Sequence, residues 1–156
     1  MLDWMYSGDR NIAVRRAEIA SRDLKLSWRN VWFCCALFII GVATYPCSDF
    51  RGYADLDRVV WVPFQHMRHS LDALANIALY VPFGFSYIQS RLHERKYGVV
   101  KVALLATLLS VSCEFYQVFC HSRHPTMTDV TSNLVGGVIG ALIAGKLDVS
   151  RVIIDK

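Results

Sequence analysis

Four apolar runs recur along this chain, with polar stretches between them. The first, residues 31–45 (VWFCCALFIIGVATY), contains no charge. At 1.5 Å per residue it rises about 22 Å as a helix. The flanking residues, from Trp28 to Pro46, bring it to the ~17–20 residues that a spanning helix needs. The second run covers residues 71–90 (LDALANIALYVPFGFSYIQS), the third 98–120 and the fourth about 129–147. Trp28, Trp32 and Tyr45 fall where aromatic anchors meet a membrane interface. The pattern predicts an all-α, polytopic membrane protein with four transmembrane helices and a polar N-terminal segment. The expected divisions are a polar or amphipathic segment over 1–30, a four-helix domain over 31–147 and a short tail over 148–156.

Details inside each run refine this plan. Pro82 would end a soluble helix but is tolerated in a membrane helix, where it frees the carbonyl four residues back, that of Ala78. Asn76 adds a polar spot to the same run, suited to an interhelical hydrogen bond or to a ligand. Residues 46–71 read as a loop. Pro63 keeps Val62 extended, and WVPF over 61–64 is apolar enough to dip into the interface. In the first thirty residues, Ala13, Ala17, Ala20 and Leu24 share one helical face, and Arg10, Arg15, Arg16, Arg22, Lys25 and Arg29 surround it. Two readings fit: a helix lying on an anionic membrane face, or a solvated helical tail that supplies orientation charge. In the fourth run, Gly136, Gly140 and Ala144 form one small-residue ridge, and Gly137, Ala141 and Gly145 another. Such ridges serve packing within a chain or, through Gly136, Gly140 and Ala144, a homodimer.

Composition agrees. Hydrophobic residues make up 54% of the 156, above the ~45–50% of ordinary soluble domains. Lys and Arg number 17 against 13 Asp and Glu. The basic residues cluster at the ends of apolar runs, which is a membrane-orientation pattern and not a nucleic-acid groove. Six precede the first run, four lie at the 91–101 turn and three in the tail, against three in the 46–71 loop and one in the 121–128 loop. Thirteen against four puts both termini in the cytoplasm and the two loops outside. The charged first thirty residues have no signal-peptide core. The five cysteines form no CxxC pair. Cys34, Cys35 and Cys113 read as small core residues, while Cys47 and Cys120, at run ends, are open to a disulfide on the outer face.

The chemistry gathers between Glu114 and Gly145. Ionisable groups at membrane depth are costly and mark functional positions. Glu114 and Gln117 share a face one turn apart, as do Asp129 and Asn133, and Arg123 lies in the loop between. Thr128 or Asp129 is expected to cap the fourth helix, and its dipole favours Asp129 there. Arg123 can pair with Glu114 or Asp129, or hold a phosphate by two parallel hydrogen bonds. His121 and His124 flank it at the outer mouth. A metal on His121, His124 and Asp129, with Glu114, lacks any distinctive ligand spacing, and no metal or cofactor is expected. A hydrolase with Glu114 or His124 as base lacks a clear nucleophile beyond Ser122.

These intervals resemble the VanZ-like membrane protein family. The resemblance rests on Asn76-x5-Pro82-x-Gly84, Glu114-x2-Gln117 and Arg123-x5-Asp129-x3-Asn133-x2-Gly136, with Val62-Pro63-Phe64 ahead of them, and covers roughly residues 60–145. Many members carry further acidic residues between the Arg and the Asp, where this chain has Thr126 and Thr128. The resemblance implies a small multi-pass protein of the bacterial inner membrane. The family's founding member contributes to low-level resistance to the glycopeptide teicoplanin, and some relatives lie near envelope-polysaccharide genes. The expected site is Glu114, Gln117, Arg123, Asp129, Asn133, Asn76 and His124. It is expected to bind an envelope lipid, such as an anionic isoprenoid-linked cell-wall intermediate, with membrane lipids as partners and no nucleic acid. The alternatives are a membrane-embedded lipid-phosphate hydrolase or transferase, and a structural scaffold.

Overall fold

The computed structural model describes residues 3–45, 50, 52–64, 70–91, 97–120 and 122–147. The described residues form a bundle of four helices, α1 (Asp3–Thr44), α2 (Ser70–Ser90), α3 (Gly98–Gln117) and α4 (Met127–Lys146), with a short 3₁₀ turn at Leu56–Arg58. Within them Ser27–Thr44, Leu71–Ser90, Gly98–Gln117 and Met127–Lys146 are long and apolar enough to cross a membrane. The protein is an all-α multi-pass membrane protein.

The first helix departs from the expected plan. The polar segment and the first span are one uninterrupted helix of 42 residues, about 63 Å long. Backbone hydrogen bonds continue regardless of side-chain polarity, and no proline precedes Pro46 to stop them. The hydrocarbon core is ~30 Å thick, so the helix is about twice the length that its span needs. Trp28 and Trp32 also do more than mark an interface. Trp28 meets Phe85 edge-on at 5.7 Å, and Trp32 lies 5.5 Å from Phe83 and 5.6 Å from Tyr87. Both indoles fasten α1 to α2.

The closest pair is α2 and α4, and glycine is the reason. A Cβ on Gly84 would strike the Gly137 carbonyl, one on Gly136 the Ile77 carbonyl, and one on Gly140 the Val81 carbonyl. Backbone thus lies on backbone, the approach that small-residue ridges permit. Gly137 of the second ridge faces α3 instead, where a Cβ would come within 3.0 Å of Ala106. The ridge Gly136–Gly140 is therefore occupied inside the chain, and a homodimer through it would have to displace α2. Tyr80, Phe83, Ile39 and Ala106 form one buried cluster, and Tyr87, Ile88, Val102, Ala141 and Ala144 the other.

At one end of the bundle the α1–α2 connection lies across the α3–α4 connection. Val60 N donates to Pro125 O and Met127 N to Val60 O, both at 3.0 Å, and Asp55 N donates to Val118 O at 3.3 Å. Phe50 stacks at 5.8 Å on Tyr116 and on Phe119. Phe64 sits at φ 59°, a region that bulky residues avoid, and its N–H donates to Thr128 Oγ1 at 2.9 Å. Helix α3 ends at Gln117, earlier than the apolar run does. Phe119 N and Cys120 N reach back only three residues, to Tyr116 O and Gln117 O, the tightening common at helix ends.

Candidate functional site

Crossing connections and four helix ends surround a half-open cavity of about 1500 Å³. All seven expected site residues line it: Asn76, Glu114, Gln117, Arg123, His124, Asp129 and Asn133. Helix α1 supplies an apolar wall through Ile39, Val42 and Ala43, and α2 adds Leu79 and Tyr80. The polar groups fall in tiers. Arg123 and His124 stand in the α3–α4 loop at the mouth. Glu114, in the last turn of α3, and Asp129, in the first turn of α4, come next. Asn133 lies one turn further in, beside Ser110.

Thr126 organises the middle tier. Its extended backbone starts α4, and its hydroxyl accepts Asp129 N at 3.0 Å, an N-cap. The expected caps were Thr128 and Asp129. Thr128 is instead committed to Phe64 N, and Asp129 is the residue whose N–H is capped. Thr126 N donates to Glu114 Oε2 at 2.9 Å, so one residue joins α3 to the start of α4. Asp129 is then free to point across the bundle, where its Oδ1 accepts Asn76 Nδ2 at 2.6 Å.

At the mouth, Arg123 donates through Nη2 to the carbonyl of Tyr45, just past α1. Among the described residues no ion pair joins Arg123 to Glu114 or Asp129, although all three line the same cavity. Gln117 Nε2 donates to Ala43 O at 3.1 Å. These two bonds bring the end of α1 into the site. His124 Nε2 is 3.2 Å from Arg58 Nη2, and Arg58 Nε is 4.0 Å from Asp55 Oδ2. Arginine only donates, so Nε2 must accept and the ring proton belongs on Nδ1.

In the deepest tier, Asn133 Nδ2 donates to Ser110 Oγ at 2.8 Å. Asn133 is only 6% exposed, and its Oδ1 has no partner among the described residues. A buried unpaired carbonyl is rare and calls for a ligand or water.

Several contributors lay outside the expected set, and two left a sequence signal. Ser110, Glu114 and Gln117 fall at i, i+4 and i+7, one helical face. Thr126-x-x-Asp129 has the spacing of an N-terminal capping motif. Nothing local marks Arg58 or the carbonyls of Ala43 and Tyr45. His121 and Cys47, and with them the His121 metal ligand and the Cys47–Cys120 disulfide, lie outside the described residues. Among the described residues no group of three or more His, Cys, Asp or Glu side chains could hold a metal ion.

No curated protein and no solved structure matches the chain. The family model VanZ/LLP1 matches residues 31–148. The match begins where the first apolar run begins, leaves the polar part of α1 outside, and contains every residue that lines the cavity. With about three quarters of its length so matched, the chain belongs to the VanZ/LLP1 family.

Proposed function

We propose that the cavity binds the headgroup of a phosphate-bearing envelope lipid at the outer face of a bacterial inner membrane. The observation that carries the reading is the convergence of polar side chains from α2, α3, α4 and the α3–α4 loop on one cavity at the end of a membrane-spanning bundle. Its volume of about 1500 Å³ exceeds the ~300–1,000 Å³ of small-molecule pockets and leaves room for the start of a lipid tail against Ile39, Val42 and Leu79. Arg123 uses one nitrogen on Tyr45 O, so the rest of its planar fork remains for phosphate oxygens. The outward orientation rests on the count of 13 basic residues against 4. An isoprenoid-linked cell-wall or polysaccharide intermediate meets this description. Any bearing on glycopeptide resistance or envelope polysaccharide would run through that lipid.

Native mass spectrometry of the lipids that co-purify with wild type and with Arg123→Ala tests the reading. Wild type is expected to carry phosphate-bearing lipid and the variant to lose it. Equal retention would sink the phosphate role of Arg123.

A second reading has its own support. Glu114, Gln117, Arg123, Asp129 and Asn133 each bond to another element, as a purely structural brace requires. Arg123→Lys separates the two, since lysine can still donate to Tyr45 O but lacks the fork. Lipid loss at an unchanged melting temperature favours binding. A lowered melting temperature with lipid retained favours the brace.

A further inference from the structure

Donors and acceptors in the cavity do not balance. Among the described lining residues, Arg123 is the only Arg or Lys, whereas three are acidic: Asp72, at the start of α2, and Glu114 and Asp129, one tier further in than Arg123. Each carboxylate can accept about four hydrogen bonds. Glu114 takes one, from Thr126 N. Asp129 takes Asn76 Nδ2 and has the Thr126 hydroxyl beside it. Below them, the 94%-buried Asn133 lines the same cavity, and its carbonyl oxygen, shielded from solvent, meets no described residue.

A bare phosphate suits Arg123 but not this inner tier, where two carboxylates would repel it and Asn133 Oδ1 would still want a donor. A primary ammonium has the opposite character: positive charge and three N–H donors, with no acceptor. Resting on the lipid-headgroup reading above, we infer that the bound headgroup is a zwitterion, its phosphate against Arg123 and its primary ammonium against Glu114 and Asp129, with Asn133 Oδ1 as a further acceptor. Phosphoethanolamine is the simplest headgroup of that class. Its two-carbon bridge lets the ammonium fold inward from the mouth while the tails stay at the apolar wall.

The test uses the full chain in detergent, loaded in competition with phosphatidylethanolamine, phosphatidylcholine and phosphatidylglycerol of matched tails, and read by native mass spectrometry. Phosphatidylcholine keeps the positive charge but has no N–H, and phosphatidylglycerol keeps the phosphate and adds hydroxyl donors but no positive charge. Wild type is expected to retain phosphatidylethanolamine at least about tenfold over either, the size of one charge-assisted hydrogen bond. The double variant Glu114→Gln, Asp129→Asn keeps acceptors for Thr126 N and Asn76 Nδ2, and its preference should fall to near unity. Equal retention of the three lipids by wild type overturns the inference, as does a preference that survives in the double variant. The wild-type competition alone decides if the variant does not fold. Equal retention that disappears in Arg123→Lys removes the ammonium and keeps the phosphate reading. Retention of no lipid removes both.

Discussion

Asp129 is held at both ends. Its backbone N–H is capped by Thr126, and its carboxylate takes the Asn76 amide at 2.6 Å. Asn76→Ala would take the amide donor from a half-buried carboxylate and leave the Thr126 hydroxyl beside it, and hydrogen bonds to charged groups contribute about 1.5–3 kcal/mol. The expected outcome is a loss of that size in reversible unfolding in detergent. Asp129→Ala should add much less than its own single cost on top of Asn76→Ala, because each change removes the same bond. Thr126→Val removes a cap and should cost about 1 kcal/mol. Residue types and spacings were legible at this scale: Asn76, Glu114, Gln117, Asp129 and Asn133 stand out because polar groups in apolar runs are costly. Their partners were not legible. Asn76 and Asp129 are 53 residues apart, and Arg123 reaches a carbonyl 78 residues away. A carbonyl exists at every position, so no sequence pattern singles out Tyr45.

Between elements, the contact of α2 with α4 rests on three glycines whose missing Cβ is filled by a neighbouring carbonyl. Gly140→Ala would drive its methyl into the Val81 carbonyl and Gly84→Ala into that of Gly137. Backbone cannot rotate away as a side chain can, so each change should cost at least about 2 kcal/mol, within the range for overpacking. A methyl added at Gly41 or Gly145 would meet nothing within 4 Å, and both lie inside helices, where Ala is favoured by about 0.5–1 kcal/mol. Gly41→Ala and Gly145→Ala should therefore be neutral or mildly stabilising. Unfolding of the four variants in a denaturing-detergent titration checks the contrast, and a uniform response would contradict the packing described. The four-residue spacing made both ridges legible, and the helix that fills each one was not. Gly136, Gly140 and Ala144 left a dimer face open beside the favoured packing within the chain, because a small-residue ridge is complementary to any close backbone. The length of α1 escaped the sequence for a different reason. Its polar half has only a weak Ala stripe, and hydrophobic periodicity gives little signal for a helix with so few apolar positions.

For the whole molecule, chain direction follows from even crossings. Four spans return the C-terminal end to the side of the N-terminal segment, and the crossed connections holding Val60, Arg123 and Thr126 occupy the other side. The charge count predicts the exterior for that second side, and the proposed ligand depends on that prediction, because headgroup chemistry differs between the two leaflets. Single cysteines in a cysteine-free background test it. Ser122→Cys, exposed in the α3–α4 loop, should react with a membrane-impermeant maleimide in intact cells. Arg16→Cys, exposed on the polar part of α1, should react only after permeabilisation. The reverse pattern would turn the cavity to the cytoplasm and remove outer-leaflet lipids from consideration. Reaction of both from one side would contradict the three crossings that separate them. The polar half of α1 then acquires a distinct physical role. A helix about 63 Å long set against ~30 Å of hydrocarbon carries its six basic residues on one element continuous with the wall of the cavity, so the charge from which the orientation is predicted and the helix that walls the site are a single element.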